Sequence, residues 1–301
     1  MQGQPPITHH PDGSLSILTT FNRRIAWREY GDPHGAPVLF LHGWPGSSSQ
    51  GTCLDQPARE RHLRIISLDR PGFGHSSLIP DRSFVDLPPL AASVMDALGI
   101  DRFSVFGVSG GGPYSLACAA TLGHRIRAVL DCCGAPPLDD LADRRALLPA
   151  YRFMLAINDA APWLLRAIIT VVVNLGKIQL PWPIMKLILK TVPPRDREAL
   201  SNRARFDEFF PSFHGAMLSG SRAVFDDGQL YARPWPFNPA AIQVPVRIWH
   251  GRFDNNFHWS LAEKLSRRIP GATFHLLDEG HYSLPAFQGA AMLDDLIAAA
   301  S

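Results

Sequence analysis

Phe103-Ser104-Val105-Phe106-Gly107-Val108-Ser109-Gly110-Gly111-Gly112-Pro113-Tyr114 is the stretch on which the reading of the fold turns. Phe103 to Phe106 reads as a short strand, and Gly112 to Leu122 as a helix of small residues. Between them the backbone has to turn within a few residues and present one side chain at the apex. Gly107 and Gly111 frame that apex as G-x-S-x-G, removing β-carbons that would collide in so tight a turn. Gly110 and Gly112 leave amides free near the helix start, where the helix dipole favours negative charge. The apex residue is Ser109, whose hydroxyl can attack a carbonyl once a base takes its proton. No lysine follows the glycines, so a nucleotide P-loop fits badly. The first-strand dinucleotide pattern lacks its acidic partner.

Working outward, Ser14 to Thr20 and Arg24 to Tyr30 read as an antiparallel pair at a sheet edge. Val38 to Leu41 is a continuous apolar run suited to a strand covered on both faces, and it ends in His42-Gly43. Leu63 to Leu68 is a further strand, ending in Asp69-Arg70-Pro71-Gly72. A helix over Leu87 to Leu98 closes at Gly99, and Ile126 to Leu130 is again a strand. This alternation predicts an α/β fold with a mostly parallel sheet flanked by helices. From Pro136 to about Pro239 no strand is expected. The pattern there is helical, broken at Pro181-Trp182-Pro183, Pro193-Pro194 and Pro211, and it ends in the proline cluster Pro234 to Pro239. Val244 to Trp249 resumes the first pattern, with Pro245 moving the proper start of the strand to Val246. A helix over Ser260 to Ile269, a strand over Ala272 to Leu277 and a terminal helix over Ala286 to Ala300 complete the chain. One α/β domain, 1–134 and 240–301, is therefore split by a helical insertion, 135–239. Such an insertion can lie over the carboxyl ends of the strands, where open α/β sheets bind ligands.

Composition narrows the function classes. The 301 residues are 46% apolar and 19% charged with a net charge of +2. The basic residues are spread out, which leaves no electrostatic case for nucleic acid. The amino-terminal stretch has no basic start followed by an apolar run, so no secretory signal is expected. The longest apolar run, Ala167 to Val173, falls well short of the ~20 residues of a membrane span. It predicts a buried or lipid-facing helix and no stable membrane insertion. Cys53, Cys118, Cys132 and Cys133 match no zinc spacing and read as free thiols of a cytoplasmic protein. No metal or organic cofactor is called for.

A serine nucleophile needs a neutral histidine, and that histidine needs an orienting carboxylate. Of twelve histidines, His281 stands out, on a loop after the strand ending at Leu277 and the polar turn Asp278-Glu279-Gly280. For the carboxylate, Asp254 follows the strand end Trp249-His250, and Asp131 is the backup. Asp278 and Glu279 are expected to be solvated loop charges. Ser109, Asp254, His281 is also the chain order expected for such a sheet. The oxyanion formed on attack would be held by the amides of Gly110 and Trp44, since Pro45 has no N–H to offer. The Trp44 indole is placed to wall an acyl pocket, and His42 reads as a structural hydrogen-bonding residue.

These segments together resemble the cap-bearing group of the α/β-hydrolase superfamily, through HGWPG at 42–46, DRPGFGHS at 69–76, GVSGGG at 107–112, HGRFD at 250–254 and GH at 280–281. The resemblance spans nearly the whole chain. It implies that Ser109, Asp254 and His281 are the catalytic triad and that Trp44 and Gly110 are the oxyanion amides. The HGWP loop is also similar to that of epoxide hydrolases and haloalkane dehalogenases, which carry an aspartate where this chain has Ser109. Many relatives continue with a valine-proline pair after the acid, whereas this chain reads Asn255-Asn256-Phe257-His258. The expected activity is that of a serine esterase forming an acyl-enzyme on a small, hydrophobic ester. Alternatives are a proline-type iminopeptidase, with Asp207 and Glu208 holding a free amine, a cofactor-free perhydrolase or haloperoxidase, and a non-catalytic binding protein. Apolar residues of the insertion, among them Phe153, Trp163, Ile168, Trp182 and Leu187, are expected to pack the cap and to line an apolar pocket or lipid-facing surface.

Overall fold

The computed structural model describes residues 5–138, 140 and 142–301. Its sheet has nine strands: β1 (Thr8–His9), β2 (Leu15–Leu18), β3 (Arg24–Gly31), β4 (Ala36–Leu41), β5 (Leu63–Asp69), β6 (Phe103–Val108), β7 (Ile126–Cys132), β8 (Val246–Gly251) and β9 (Thr273–Leu277). They lie in the order β1-β2-β3-β5-β4-β6-β7-β8-β9. The first three are joined antiparallel to one another and to β5, and every later pairing is parallel. The expected edge pair is therefore a three-stranded edge, because Thr8 and His9 add a short strand beside β2. The helices are α1 (Asp55–Arg59), α2 (Leu87–Ala97), α3 (Gly112–Leu122), α4 (Pro149–Ala160), α5 (Pro162–Gly176), α6 (Trp182–Leu189), α7 (Pro194–Leu200), α8 (Arg203–Leu218), α9 (Ser221–Tyr231), α10 (Trp259–Ser266) and α11 (Ser283–Ala300).

Successive strand residues point to opposite faces, so a run such as β4 is apolar throughout only if both faces are covered. Leu39 and Leu41 join the cluster under α2, α3 and α10, while Val38 and Phe40 join the cluster under α1 and α11. All four are buried. β6 and β7 each run further than the apolar pattern indicated, to Val108 and Cys132, which carries both strands to the rim where the turns begin.

Helices α4 to α9 all lie between β7 and β8, and the described part of this insertion contributes no strand to the sheet. Several prolines of the insertion start helices rather than break them. Pro149, Pro162 and Pro194 each stand at a first helical position, where a missing N–H costs nothing and the fixed φ suits the turn. Pro211 departs from expectation, since it sits inside α8. The helix loses one main-chain bond there. It is held from outside by the next residue, Ser212, whose hydroxyl accepts from the Ser47 amide at 2.8 Å.

Candidate active site

Ser109 occupies the apex between β6 and α3 with φ of 52°, a left-handed conformation unusual for a residue with a side chain. The glycines make that turn possible. A Cβ on Gly107 would lie 2.6 Å from the Gly111 carbonyl oxygen, and one on Gly111 would strike the carbonyl of Leu41. The strained turn lifts the Ser109 hydroxyl towards the loop after β9, where its Oγ lies 3.0 Å from His281 Nε2. On the other side of the ring, His281 Nδ1 lies 2.7 Å from Asp254 Oδ2. The remaining carboxylate oxygen accepts from the amides of Asn256 at 2.7 Å and Phe257 at 3.1 Å. The Asn255–His258 departure thus supplies the amides that hold the acid. Burial disfavours an imidazolium, but the Asp254 carboxylate and its hydrogen bond outweigh this and hold the His281 pKa well above the usual histidine range. Asp254 moves the opposite way. Burial would raise it, and His281 brings it below the ordinary carboxylate value. An Nδ1–H donated to Asp254 leaves Nε2 free to accept the serine proton.

The loop after β4 lies against this turn. A Cβ on Gly110 would be 2.8 Å from the Trp44 nitrogen, so the two main chains are in contact. The Trp44 indole donates to the Val224 carbonyl of α9 at 2.9 Å, and Tyr231 of α9 donates to the Gly110 carbonyl at 2.9 Å. Below the loop, His42 Nδ1 donates to the Gly43 carbonyl at 2.9 Å, and Nε2 accepts from the Arg70 amide at 3.3 Å. Burial and the neighbouring Arg70 push the His42 pKa well down, so it stays neutral and structural. The Arg70 guanidinium donates to the His42 and Gly43 carbonyls and, at 2.6 Å, to Asp227 Oδ2. Arg82 and the Tyr114 hydroxyl both reach Asp227 Oδ1, at 2.7 and 2.6 Å. Burial alone would raise the Asp227 pKa, but the two guanidinium groups reverse this and hold it far below the carboxylate range. This wholly buried cluster ties α9 to the loop after β4. Arg70 stands within DRPGFGHS with no partner visible locally, and Asp227 carries no local signal at all.

A second residue escaped sequence reasoning. Asp196 of α7 is buried and accepts from the amides of His281 at 3.2 Å, Tyr282 at 2.8 Å and Ser283 at 2.9 Å. It caps the start of α11 and fixes the loop carrying His281. The backup acid Asp131 is not at the histidine. It lies behind the turn, with Oδ1 close to where β-carbons on Gly112 and Gly134 would sit. Burial pushes its carboxyl up to about 7. Asp278 is exposed and pairs with Arg252 at 2.7 Å. Glu279 corrects the expectation of a solvated charge: it is buried and bound by Arg195 at 2.8 and 3.0 Å. Asp207 and Glu208 are both exposed on α8, Asp207 paired with Arg203 at 2.6 Å. Cys133, His250 and Asp254 bring three potential metal-ligand atoms together. Burial and its neighbours push the Cys133 thiol well up, leaving it protonated, and Asp254 is committed to His281 and two amides, so this set is poorly suited to a metal.

Above Ser109 lies a cavity of about 90 Å³ between core and cap. Trp44 forms part of its wall, with Leu147, Met154, Leu165, Ile169 and Phe225. Its polar side chains include Tyr151, Tyr231, Asn158 and Gln229, the last two bonded to each other at 2.6 Å. No charged side chain of the described residues lines it.

A serine, histidine and aspartate linked in this order, at the rim of a capped parallel sheet, make the protein a serine hydrolase. The chain belongs to the α/β hydrolase fold family, which it matches over residues 36–285. It is 36% identical over 294 residues to a proline iminopeptidase of Neisseria meningitidis, with 86% of each chain covered. Among solved structures, a thermophilic esterase from Thermogutta terrifontis superposes with a TM-score of 0.65 at 19% identity, covering 96% of this chain and 99% of that one. A bromoperoxidase from Bacillus anthracis superposes with a TM-score of 0.67 at 18% identity, covering 91% and 95%. No helix of the described residues is long and apolar enough to cross a membrane.

Proposed function

We propose that this serine hydrolase cleaves carboxylic esters of small, hydrophobic substrates, with Ser109 as nucleophile, His281 as base and acid, and Asp254 as its orienting carboxylate. The observation that carries the reading is the apolar cavity, without a charged lining residue, directly over the serine. His281 takes the Ser109 proton as Oγ bonds to the ester carbonyl carbon. The amides of Trp44 and Gly110 stabilise the oxyanion. His281 then returns the proton to the leaving alkoxide as the C–O bond breaks, leaving an acyl-serine. Water attacks that acyl group, with His281 again taking the proton, and the acid departs with Ser109 restored. The chemistry needs no cofactor. The covering segment, residues 135–239, sets the size of the acyl or alcohol group accepted. Four unpaired cysteines fit a reducing compartment, and we place the protein in the cytoplasm.

The Neisseria relative supports a second reading, release of amino-terminal proline. That reaction calls for a carboxylate beside the substrate's free amine. The acidic pair Asp207 and Glu208 lies outside the cavity. A series of p-nitrophenyl esters of rising chain length, run beside prolyl-naphthylamide, separates the two. Ester turnover should dominate, and Ser109→Ala should lower it by roughly 10⁴–10⁶-fold in a folded protein. A higher kcat/KM on the prolyl substrate would overturn the ester reading, and full esterase activity in Ser109→Ala would overturn the nucleophile.

A further inference from the structure

Helix α5 is apolar on two sides. Leu165, Ile169 and Val173 recur at helical spacing on its inner face and are buried against the cap. Leu164, Ile168, Val171, Val172 and Leu175 form an adjoining stripe along the same helix and are exposed. Arg166, Thr170 and Asn174 form the polar side of the helix, and an apolar arc wider than its neighbours bury calls for a further apolar partner. Further exposed apolar side chains follow the helix at Ile178 and in α6 at Ile184, Leu187 and Ile188, and one precedes it at Trp163, which is 72% exposed. Among the described residues, twelve of nineteen exposed large apolar side chains lie between 153 and 188, so the apolar surface is concentrated in one segment rather than scattered.

The charges of this segment are almost all of one sign. Residues 149–192 carry Arg152, Arg166, Lys177, Lys186 and Lys190 against a single acid, Asp159, which is paired with Arg144. All five cations are exposed, and none is ion-paired with a described carboxylate. A second copy of the chain is a poor occupant, because a two-fold interface would set these cations against themselves. An anionic lipid surface satisfies both features. Its acyl boundary takes the Leu, Ile and Val side chains, and its headgroups take the cations that flank them, Lys186 and Lys190 at the end of α6 first among these.

We propose that the outer face of α5 and α6 docks the protein peripherally on anionic bilayers. The inner face of α5 lines the cavity over Ser109 through Leu165 and Ile169, so docking brings the cavity within about one helix diameter, ~10 Å, of the lipid. Delivery of lipid-dissolved esters to that cavity rests on the ester reading above, whereas docking itself does not. It is therefore tested with the Ser109→Ala protein, whose binding is read without turnover. Co-sedimentation with phosphatidylglycerol/phosphatidylcholine vesicles at low salt should pellet this protein. Pure phosphatidylcholine should pellet far less, and the Trp163 emission should shift to the blue. Val171→Glu with Leu175→Glu should lower the partition at least about tenfold with an unchanged circular dichroism spectrum. Lys186→Gln with Lys190→Gln should lower it roughly 25-fold, at about fivefold per charge. These two surface lysines also serve if the glutamate pair fails to fold. The proposal is overturned if anionic vesicles leave the protein in the supernatant, or if neither pair changes the partition. It is equally overturned if sedimentation velocity shows a dimer that the glutamate pair dissociates while vesicles are ignored.

Discussion

Replacing Asp227 by asparagine keeps the shape of the buried cluster and removes its only anion. Asp227, Arg70 and Arg82 are all buried, with both guanidinium groups within 2.7 Å of the carboxylate. One such pair at a charge separation near 4 Å is worth about 4 kcal/mol at an effective dielectric of 20. Two are lost, while the mutual repulsion of the arginines stays. Breaking a buried pair by removing one partner typically costs about 3–5 kcal/mol, because the other charge is left uncompensated. Asp227→Asn should therefore lose stability in that range, seen as a midpoint roughly 6–20 °C lower in thermal unfolding. The pH dependence fixes the cause. The native pKa of Asp227 is depressed, so its contribution is present above the unfolded carboxylate pKa of about 4 and is lost as pH falls below it. The gap between wild type and variant should be full at pH 6 and shrink below pH 4. Because Arg70 also holds the His42 and Gly43 carbonyls, kcat should fall with the stability. Unfolding of Asp227→Asn within about 1 kcal/mol of wild type at pH 6, or a gap that does not close in acid, would refute the reasoning.

Asp254→Asn should reduce kcat by roughly 10³–10⁴-fold through loss of the correct imidazole tautomer. Since Asp254 is what raises the His281 pKa, and turnover needs the neutral ring, the acid limb of the residual pH–rate profile should move to lower pH. Asp196→Ala strips three amides of their acceptor and should cost about 1–3 kcal/mol in urea unfolding. It should also depress kcat more than KM, with partial rescue by Asp196→Asn. Asp131 runs the other way in pH. Its native carboxyl titrates at about 7, so the stability it contributes is present below pH 4 and lost as pH rises through 7. Asp131→Asn should thus gain on wild type between pH 5 and pH 8, by ~4 kcal/mol at most, and identical urea midpoints at both values would count against it.

What the sequence disclosed was local. The Ser109 turn is legible because the contact that demands Gly107 is with Gly111, within the same five residues, although the Leu41 carbonyl that demands Gly111 is not visible locally. His281 and Asp254 are legible because each follows a strand, and in a parallel sheet those strand ends share one rim. Trp44 as an oxyanion donor is likewise a local reading, made because Pro45 cannot donate, and it belongs to the proposed function. The supports of the site are long-range ion pairs and caps. Arg70 and Asp227 are 157 residues apart, and Asp196 reaches His281 across 85. Glu279 reads locally as a solvated charge for the same reason, since the arginine that permits its burial lies 84 residues away. Pro211 reads as a break because only its missing donor is visible locally, while the Ser47–Ser212 tether is not.

The Asp227 cluster also says where this protein can be recombined. Cap segments invite exchange between relatives as a way to alter substrate range, with the joins placed at β7 and β8. A graft cut there would carry away Asp227 and leave Arg70 and Arg82 stranded in the host. It would likewise remove the Asp196 cap from α11. Electrically, α9 and the start of α7 belong to the scaffold, although they lie within the insertion. The exchangeable unit is α4 to α6, so a library confined to those helices should yield folded enzymes where whole-cap swaps give insoluble ones.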